Sequence, residues 1–394
     1  MEMYKNICHN FFKGLEDADF EISYWDGDTV AYGRGSPKVK LFFKKPLPVN
    51  LDPGSMVLTM GEAYMDGLVD FEGDMAEILR IVQRNGVIAG SRGLTGRISS
   101  ALGSLGNSRS RQKKNIQHHY DLGNDFFALW LDETMSYSCA YFKTPGDTLY
   151  QAQINKIDHI LKKLQLRPGE RLLDIGCGWG WLAVKAAREH GAEVLGITLS
   201  REQHRSALDR VEKEGLSGKV DIQLVNYLDL AGGGQHFDKI VSVGMFEHVG
   251  RENLSRYMEA VHRLLRPGGL SLLHSIMGTD ENPVNPWIEK YIFPGGYIPS
   301  LRETLWLLPE YNFHLLHAES LRLHYAQTLD RWYGNFQKNI PAVRKKFGDR
   351  FVRMWSLYLI GCAASFRSTG LNVYQLVFSK GLNNDLPITL DHLY

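Results

Sequence analysis

Leu172-Leu173-Asp174-Ile175-Gly176-Cys177-Gly178-Trp179-Gly180 is the stretch from which the rest of the chain can be read. An apolar run closes on Asp174, glycines stand at 176, 178 and 180, and Trp181-Leu182-Ala183-Val184-Lys185-Ala186-Ala187 follows with helical character. The order is strand, tight turn, helix. Residues without a Cβ let the backbone come close to a ligand at the C-terminal end of a strand, where open α/β sheets bind cofactors. A dinucleotide fingerprint needs G-x-G-x-x-G, and Gly180 falls one position too early for it.

On either side the pattern is doubly wound. A helix over residues 153–163 and a break at Pro168-Gly169 precede the glycine turn. Strands follow at residues 194–200, 220–225, 237–243 and 269–274, with helical spacing between them. Alternating strand and helix with short loops implies a mostly parallel sheet, and its polar strand ends fall on one edge, where a ligand pocket belongs. The second strand ends in Ile197-Thr198-Leu199-Ser200 with no acid before Glu202, so a ligand at this strand end must be held some other way, with Gln203 and the backbone around Thr198 as candidates. Near the C-terminus an apolar helix over residues 355–367 leads into a strand at 373–378.

With 394 residues the chain has room for two domains. Lys and Arg total 45 against 44 Asp and Glu, so no global charge argues for nucleic acid. Cys8, Cys139, Cys177 and Cys362 are scattered, which speaks against a zinc site or disulfide framework and for a reducing cytosol. His118 and His119 lack metal-ligand companions at helical spacing, so no metal site is expected. The N-terminus does not read as a signal peptide, and no apolar run approaches the roughly 20 residues that span a bilayer.

Residues 1–85 read as a small α+β accessory domain, with strands at 20–25, 29–33 and 39–43 and a helix at 75–83. Residues 86–114 are rich in Gly and Ser and carry Arg92, Arg97, Arg109, Arg111, Lys113 and Lys114 with no acid. This is either a solvated linker or a segment that sits on anionic lipid headgroups, where each cation contributes about 1 kcal/mol. The catalytic domain then runs over residues 115–394.

A strand with a terminal Asp followed by G-x-G-x-G is the pattern of S-adenosylmethionine (SAM) methyltransferases, which implies a Rossmann-like class I fold. Six longer motifs then occur in order: Gln117-His118-His119-Tyr120-Asp121, Tyr137-Ser138-Cys139-Ala140-Tyr141-Phe142, Asp174 to Gly180, Gly244-Met245-Phe246-Glu247-His248-Val249-Gly250, Phe293-Pro294-Gly295-Gly296-Tyr297-Ile298-Pro299 and His324-Tyr325-Ala326-Gln327-Thr328-Leu329. From about residue 114 to 380 the chain resembles the cyclopropane-fatty-acyl-phospholipid synthases, the family that includes mycolic acid cyclopropane synthases.

The resemblance implies transfer of the SAM methyl to a cis double bond, loss of a proton from the added methyl, and ring closure, with bound bicarbonate as the base. It implies bicarbonate contacts from Glu247, His274 and Tyr325 and from backbone groups of Cys139 and Ile276. It implies SAM contacts at Tyr137, Ser138, Gly176 and Gly178 with Asp174 behind them, Thr198, Leu199 and Gln203, and Asn226 with Tyr227 near the adenine. It also implies a homodimer on phospholipid at the cytoplasmic face of the membrane.

Blander readings stand beside these. Tyr325 and His274 also suit a core, and Glu247-His248 suits methyltransferases of other specificity. Cys177 reads as a small residue that fits the turn. Cys362 matches an active-site cysteine of the family, yet a thiolate risks methylation or trapping the cation, so core packing is favoured. Pro283 to Ile288 and Tyr291 to Pro299, with Trp306, Tyr333 and Phe336, line an acyl channel or belong to ordinary core. The rival functions are a methyl-branching or methylene-forming outcome of the same cation, a small-molecule methyltransferase, and a lipid-binding protein with a degenerate SAM fold.

Overall fold

The computed structural model describes residues 2–47, 56–84, 122–281 and 284–393, so the basic segment 86–114 and the pair His118-His119 lie outside the described residues. The chain forms two compact units. One comprises Met1–Gly106, Pro283–Pro294 and Trp332–Gly370, and the other Asn107–Asn282, Gly295–Arg331 and Leu371–Tyr394. The accessory unit is therefore wider than the N-terminal block read from composition. Two later segments, read as catalytic domain, pack into it.

In the first unit α1 (Glu2–Lys13), β1 (Phe20–Ser23), β2 (Thr29–Tyr32), β3 (Val39–Phe43), α2 (Met56–Met65), β4 (Val69–Gly73) and α3 (Met75–Arg84) follow in order. Their sheet runs β2-β1-β3-β4, with β1 antiparallel to β2 and parallel to β3. Phe20 stands opposite Tyr32 across the hairpin, and the rings stack at 4.8 Å. Such cross-strand aromatic pairs fix register.

The second unit begins with α4 (Asn124–Ala128), α5 (Leu149–Leu164), β5 (Arg171–Ile175), α6 (Trp181–His190), β6 (Glu193–Ile197) and α7 (Arg201–Lys213). It continues through β7 (Val220–Gln223), α8 (Tyr227–Leu230), β8 (Phe237–Val243), α9 (Leu254–Leu264) and β9 (Leu265–Met277). The short helix α10 (Pro286–Tyr291) belongs to the first unit, and α11 (Leu301–Glu310) and β10 (Phe313–Ser320) to the second. After α12 (Arg322–Lys338), helices α13 (Ile340–Phe347) and α14 (Asp349–Ser368) lie in the first unit. There α14 packs on α3 and α2, setting Ala364, Leu357 and Ile360 against Met75 and Ala76. The chain closes the second unit with β11 (Asn372–Lys380).

The seven strands run in the order β10-β11-β9-β8-β5-β6-β7. β5 to β9 are mutually parallel, while β11 is antiparallel to both neighbours, β9 and β10. Successive apolar residues go to opposite faces, as the period of two requires. Leu172 packs with α5, α6 and α7 on one side, and Leu173 with α9 and α11 on the other. The sequence pattern gave the parallel strands but not β10, nor the full length of β9.

Candidate active site

The glycine turn is pinned before anything binds in it. The amides of Gly176 and Cys177 both donate to the Ile197 carbonyl at the end of β6, at 2.9 and 3.0 Å. Gly176 and Gly178 have φ of +82° and +56°, a region L side chains rarely occupy. A Cβ on Gly178 would enter open space, so that glycine leaves room beside the backbone. Gly180 has a different task. It caps α6 in the left-handed region, and a Cβ there would stand 3.1 Å from Ala207 on α7.

A pocket opens at this edge of the sheet. All ten residues expected to hold the cofactor line it: Tyr137 and Ser138, Asp174, Gly176 and Gly178, Thr198, Leu199 and Gln203, and Asn226 with Tyr227. The Thr198 hydroxyl donates to Gln203 Oε1 at 2.9 Å, which orients the carboxamide at the place where an acid would otherwise end β6. The Asn226 side chain also caps α8, its Oδ1 accepting from the Leu228 amide at 2.9 Å. Trp179 Nε1 donates to Asn124 Oδ1 at 2.8 Å and ties the turn to α4. Met135, also in the lining, holds φ of +56° without being glycine. Local strain of this kind collects at functional sites. A bent glycine turn with open space beside it, an oriented carboxamide and a buried acid suit a nucleoside-bearing cation such as SAM.

Two charged groups at the pocket floor are perturbed. Burial raises the Asp174 carboxyl to about 7, against the opposing effect of Lys156. Burial lowers Lys156 to about 8, although Asp132, Cys139 and Asp174 act the other way. Lys156 Nζ donates to Ser138 Oγ at 2.9 Å. The sequence reading missed Lys156. Its signal was there: Gln153, Lys156, His159 and Lys163 recur on one side of α5, and all four are buried.

A second cluster adjoins this pocket. Glu247 sits in a 3-10 turn (Phe246–His248) after β8, between Met245 and His248 of the pocket lining. Its Oε1 accepts the Ile276 amide at 2.6 Å. Its Oε2 is buried and makes no hydrogen bond among the described residues. Burial raises its pKa, against the Ile276 amide and Ser275. His274 is 2% exposed on β9, and its carbonyl accepts the Gly244 amide of the pocket at 2.9 Å. Burial, with Lys156 and Lys163 nearby, holds it well below its ordinary value, so the ring is neutral. Ile276 pairs with Val373, Val373 accepts the Leu321 amide, and Leu321 accepts the Tyr325 amide at 3.0 Å. Cys139 Sγ lies 3.8 Å from the Leu321 carbonyl. The backbone thus gathers Glu247, His274, Ile276, Tyr325 and Cys139 around adjoining strand ends. The Ile276 amide, expected to hold an anion, is used by Glu247 here. Glu247 Oε2, buried and without a partner among the described residues, is an acceptor suited to a group that carries a proton of its own.

The remaining candidates belong to the first unit or to the surface. Cys362 is on α14 in the first unit, and burial pushes its thiol up to about 12, so it is protonated. Trp287, Tyr291 and Phe293 belong to the first unit, where the Tyr291 hydroxyl donates to Glu62 at 2.7 Å and Phe293 meets Tyr358 edge-on. Trp306 is 72% exposed on α11, so it does not line an enclosed channel.

The family model described as mycolic acid cyclopropane synthetase matches residues 107–376, and a domain of unknown function matches residues 7–87. The cyclopropane-fatty-acyl-phospholipid synthase of Escherichia coli is 42% identical over 88% of both chains. A probable fatty acid methyltransferase of Pseudomonas putida is 39% identical over 95% of both. Among solved structures, mycolic acid cyclopropane synthase CmaA1 complexed with SAH and CTAB has a TM-score of 0.64 at 36% identity, covering 68% of this chain and 98% of that one.

Proposed function

Because the chain belongs to the mycolic acid cyclopropane synthetase family of SAM-dependent methyltransferases, we propose that it converts cis double bonds in phospholipid acyl chains to cyclopropane rings. The observation that carries this reading is the meeting of an intact SAM pocket with the Glu247, His274 and Tyr325 cluster at neighbouring strand ends. Phospholipid is favoured over a mycolic acid as substrate by the first unit. The mycolic acid enzyme covers only 68% of this chain, whereas the phospholipid enzyme of E. coli matches 88%. The basic run Arg109, Arg111, Lys113 and Lys114 supports work at an anionic bilayer surface, and a homodimer is part of the same proposal.

SAM supplies the electrophilic methyl, and a bicarbonate beside Glu247 would supply the base that takes a proton from the added carbon. The chain's own groups do the rest. The glycine turn and Gln203 fix the cofactor so that the S–CH3 bond faces one direction, which counts because an alkene is a weak nucleophile. Glu247 Oε2 would accept the proton of the bound anion, and the Ile276 amide holds the carboxylate in place from its other oxygen. His274, neutral, and the Tyr325 phenol would donate to the anion. Buried walls keep out the water that would quench the cation. The Pseudomonas relative, named for methylation alone, favours a second reading in which the same cation ends as a methyl branch.

Lipids from cells expressing the protein, examined by mass spectrometry, should gain one CH2 unit per unsaturated acyl chain. Resistance to mild hydrogenation and ring-proton NMR signals then separate a ring from a methylene or a branch. Glu247→Gln should lower turnover by at least about 100-fold with SAM affinity kept within about twofold. Unchanged lipids beside folded, SAM-binding protein would turn the assignment toward a small-molecule methyltransferase.

A further inference from the structure

A row of polar side chains crosses three strands on one face of the sheet. In register, Glu319 on β10 pairs with Gln375 on β11, and Gln375 pairs with His274 on β9. Partners in register point the same way. Gln375 is fully buried and His274 nearly so, and α5 lays Lys163 and His159 over the row. Lys163 Nζ reaches Glu319 Oε2 at 2.5 Å and Gln375 Oε1 at 2.6 Å. His159 Nε2 meets the same Glu319 oxygen at 2.8 Å. Burial would raise the Glu319 carboxyl, but the bonds from His159 and Lys163 outweigh it and hold it at about 2.

The donors decide the rest. An ammonium only donates, so the oxygen of the Gln375 carboxamide must face Lys163, and its nitrogen must face His274. That nitrogen lies 3.1 Å from His274 Nδ1. A carboxamide nitrogen also only donates, so Nδ1 accepts, and the single proton of the neutral ring is left on Nε2.

We propose that Gln375, oriented by the Lys163–Glu319 pair, is a positioning residue that fixes His274 as the Nε2–H tautomer and so makes it a hydrogen-bond donor to the reaction site. The inference rests on the reading of His274 given above, since a donor is what an anion next to Glu247 requires. It also accounts for a costly arrangement, because a buried lysine–carboxylate pair is weak evidence of a purely stabilising role. Second contacts of this kind orient a working histidine in metal sites as well, where their loss costs about 10–100-fold in function.

The test uses the full-length protein labelled with 15N-histidine, in wild-type form and as Gln375→Met and Gln375→Glu. Methionine removes the donor with little change of volume. Glutamate can only accept when ionised, and so draws the ring proton to Nδ1. Long-range 1H–15N correlation spectra report the tautomer, with the His274 signals identified by their absence in His274→Gln. Wild type should show the Nε2–H form, Gln375→Met a mixture and Gln375→Glu the Nδ1–H form. Turnover should fall about tenfold or more in both variants, with SAM affinity within about twofold. Should glutamate prevent folding, the methionine variant decides. An Nδ1–H ring in wild type, or an unaltered Nε2–H ring in the variants, would overturn the proposal. A switched tautomer with full turnover would overturn it as well, by removing His274 from the reaction.

Discussion

At the floor of the cofactor pocket, Asp174 has a carboxyl raised by burial to about 7. SAM carries a sulfonium and an ammonium against one carboxylate, so it favours an ionised neighbour. In the free protein below pH 7 the Asp174 carboxyl is mostly protonated and must release that proton when the cation binds. SAM affinity should therefore weaken as pH falls below about 7, by up to about tenfold per unit, and level off above it. Calorimetric titration from pH 6 to pH 8 checks this, and Asp174→Asn should bind more weakly with a flat profile. A wild-type affinity independent of pH would sink the idea. Asp174 was legible in the sequence because it ends a strand before a glycine turn. Lys156 was not, because a lysine on a helix reads as solvated until the packing shows it buried. Gln375 was hidden for the same reason, inside the apolar-looking strand Val373 to Phe378.

Among elements, the turn between β5 and α6 separates binding from folding within five residues. Gly178→Ala puts a methyl into open pocket space, and Gly180→Ala puts one 3.1 Å from Ala207 on the neighbouring helix. Both bear the left-handed backbone cost of about 1 kcal/mol. The first should lower the unfolding temperature by only a few degrees while weakening SAM binding about tenfold or more. The second should lower it further, since α6 and α7 must move apart, and should affect binding less at a temperature where the protein is folded. Thermal scans with and without SAM tell them apart; equal losses of stability would contradict the division of roles. The parallel strands were readable because both faces are covered and each is a short apolar run. β10 escaped because its sequence, Phe313-His314-Leu315-Leu316-His317-Ala318-Glu319-Ser320, lies at an edge, partly exposed and without clean alternation. That unread strand supplies Glu319.

Across the molecule the division into units was the least legible feature. Nothing in local composition marks residues 283 or 332 as boundaries. Helix α14 looks like any apolar helix, and only its packing on α2 and α3 assigns it. Arg353 illustrates what that packing does. It pairs with Asp70, donates to the carbonyls of Tyr64 and of Val69 (2.9 Å to the latter), and stands 4.0 Å over the Tyr64 ring. Arg353→Met leaves Asp70 with Lys44 alone among these cations and strips both carbonyls of their guanidinium donor. Hydrogen exchange should rise about tenfold or more in α2 and β4, while the amides of β5 to β8 keep their protection. Uniform loosening of the whole chain would show that Arg353 does not act locally.

The interleaving of the two units also governs how the protein is made. A nascent chain leaving the ribosome presents α2 and α3 some 270 residues before α14, which covers them, has been synthesised. The central sheet likewise waits for β11, the last strand to emerge, before β10 has a neighbour to pair with. Neither unit can close until α14 and β11 have both been made. Vectorial, domain-by-domain folding is therefore closed to this chain, and its apolar α3 face, Ala76 and Ile78 among them, is a natural client for chaperones during that interval.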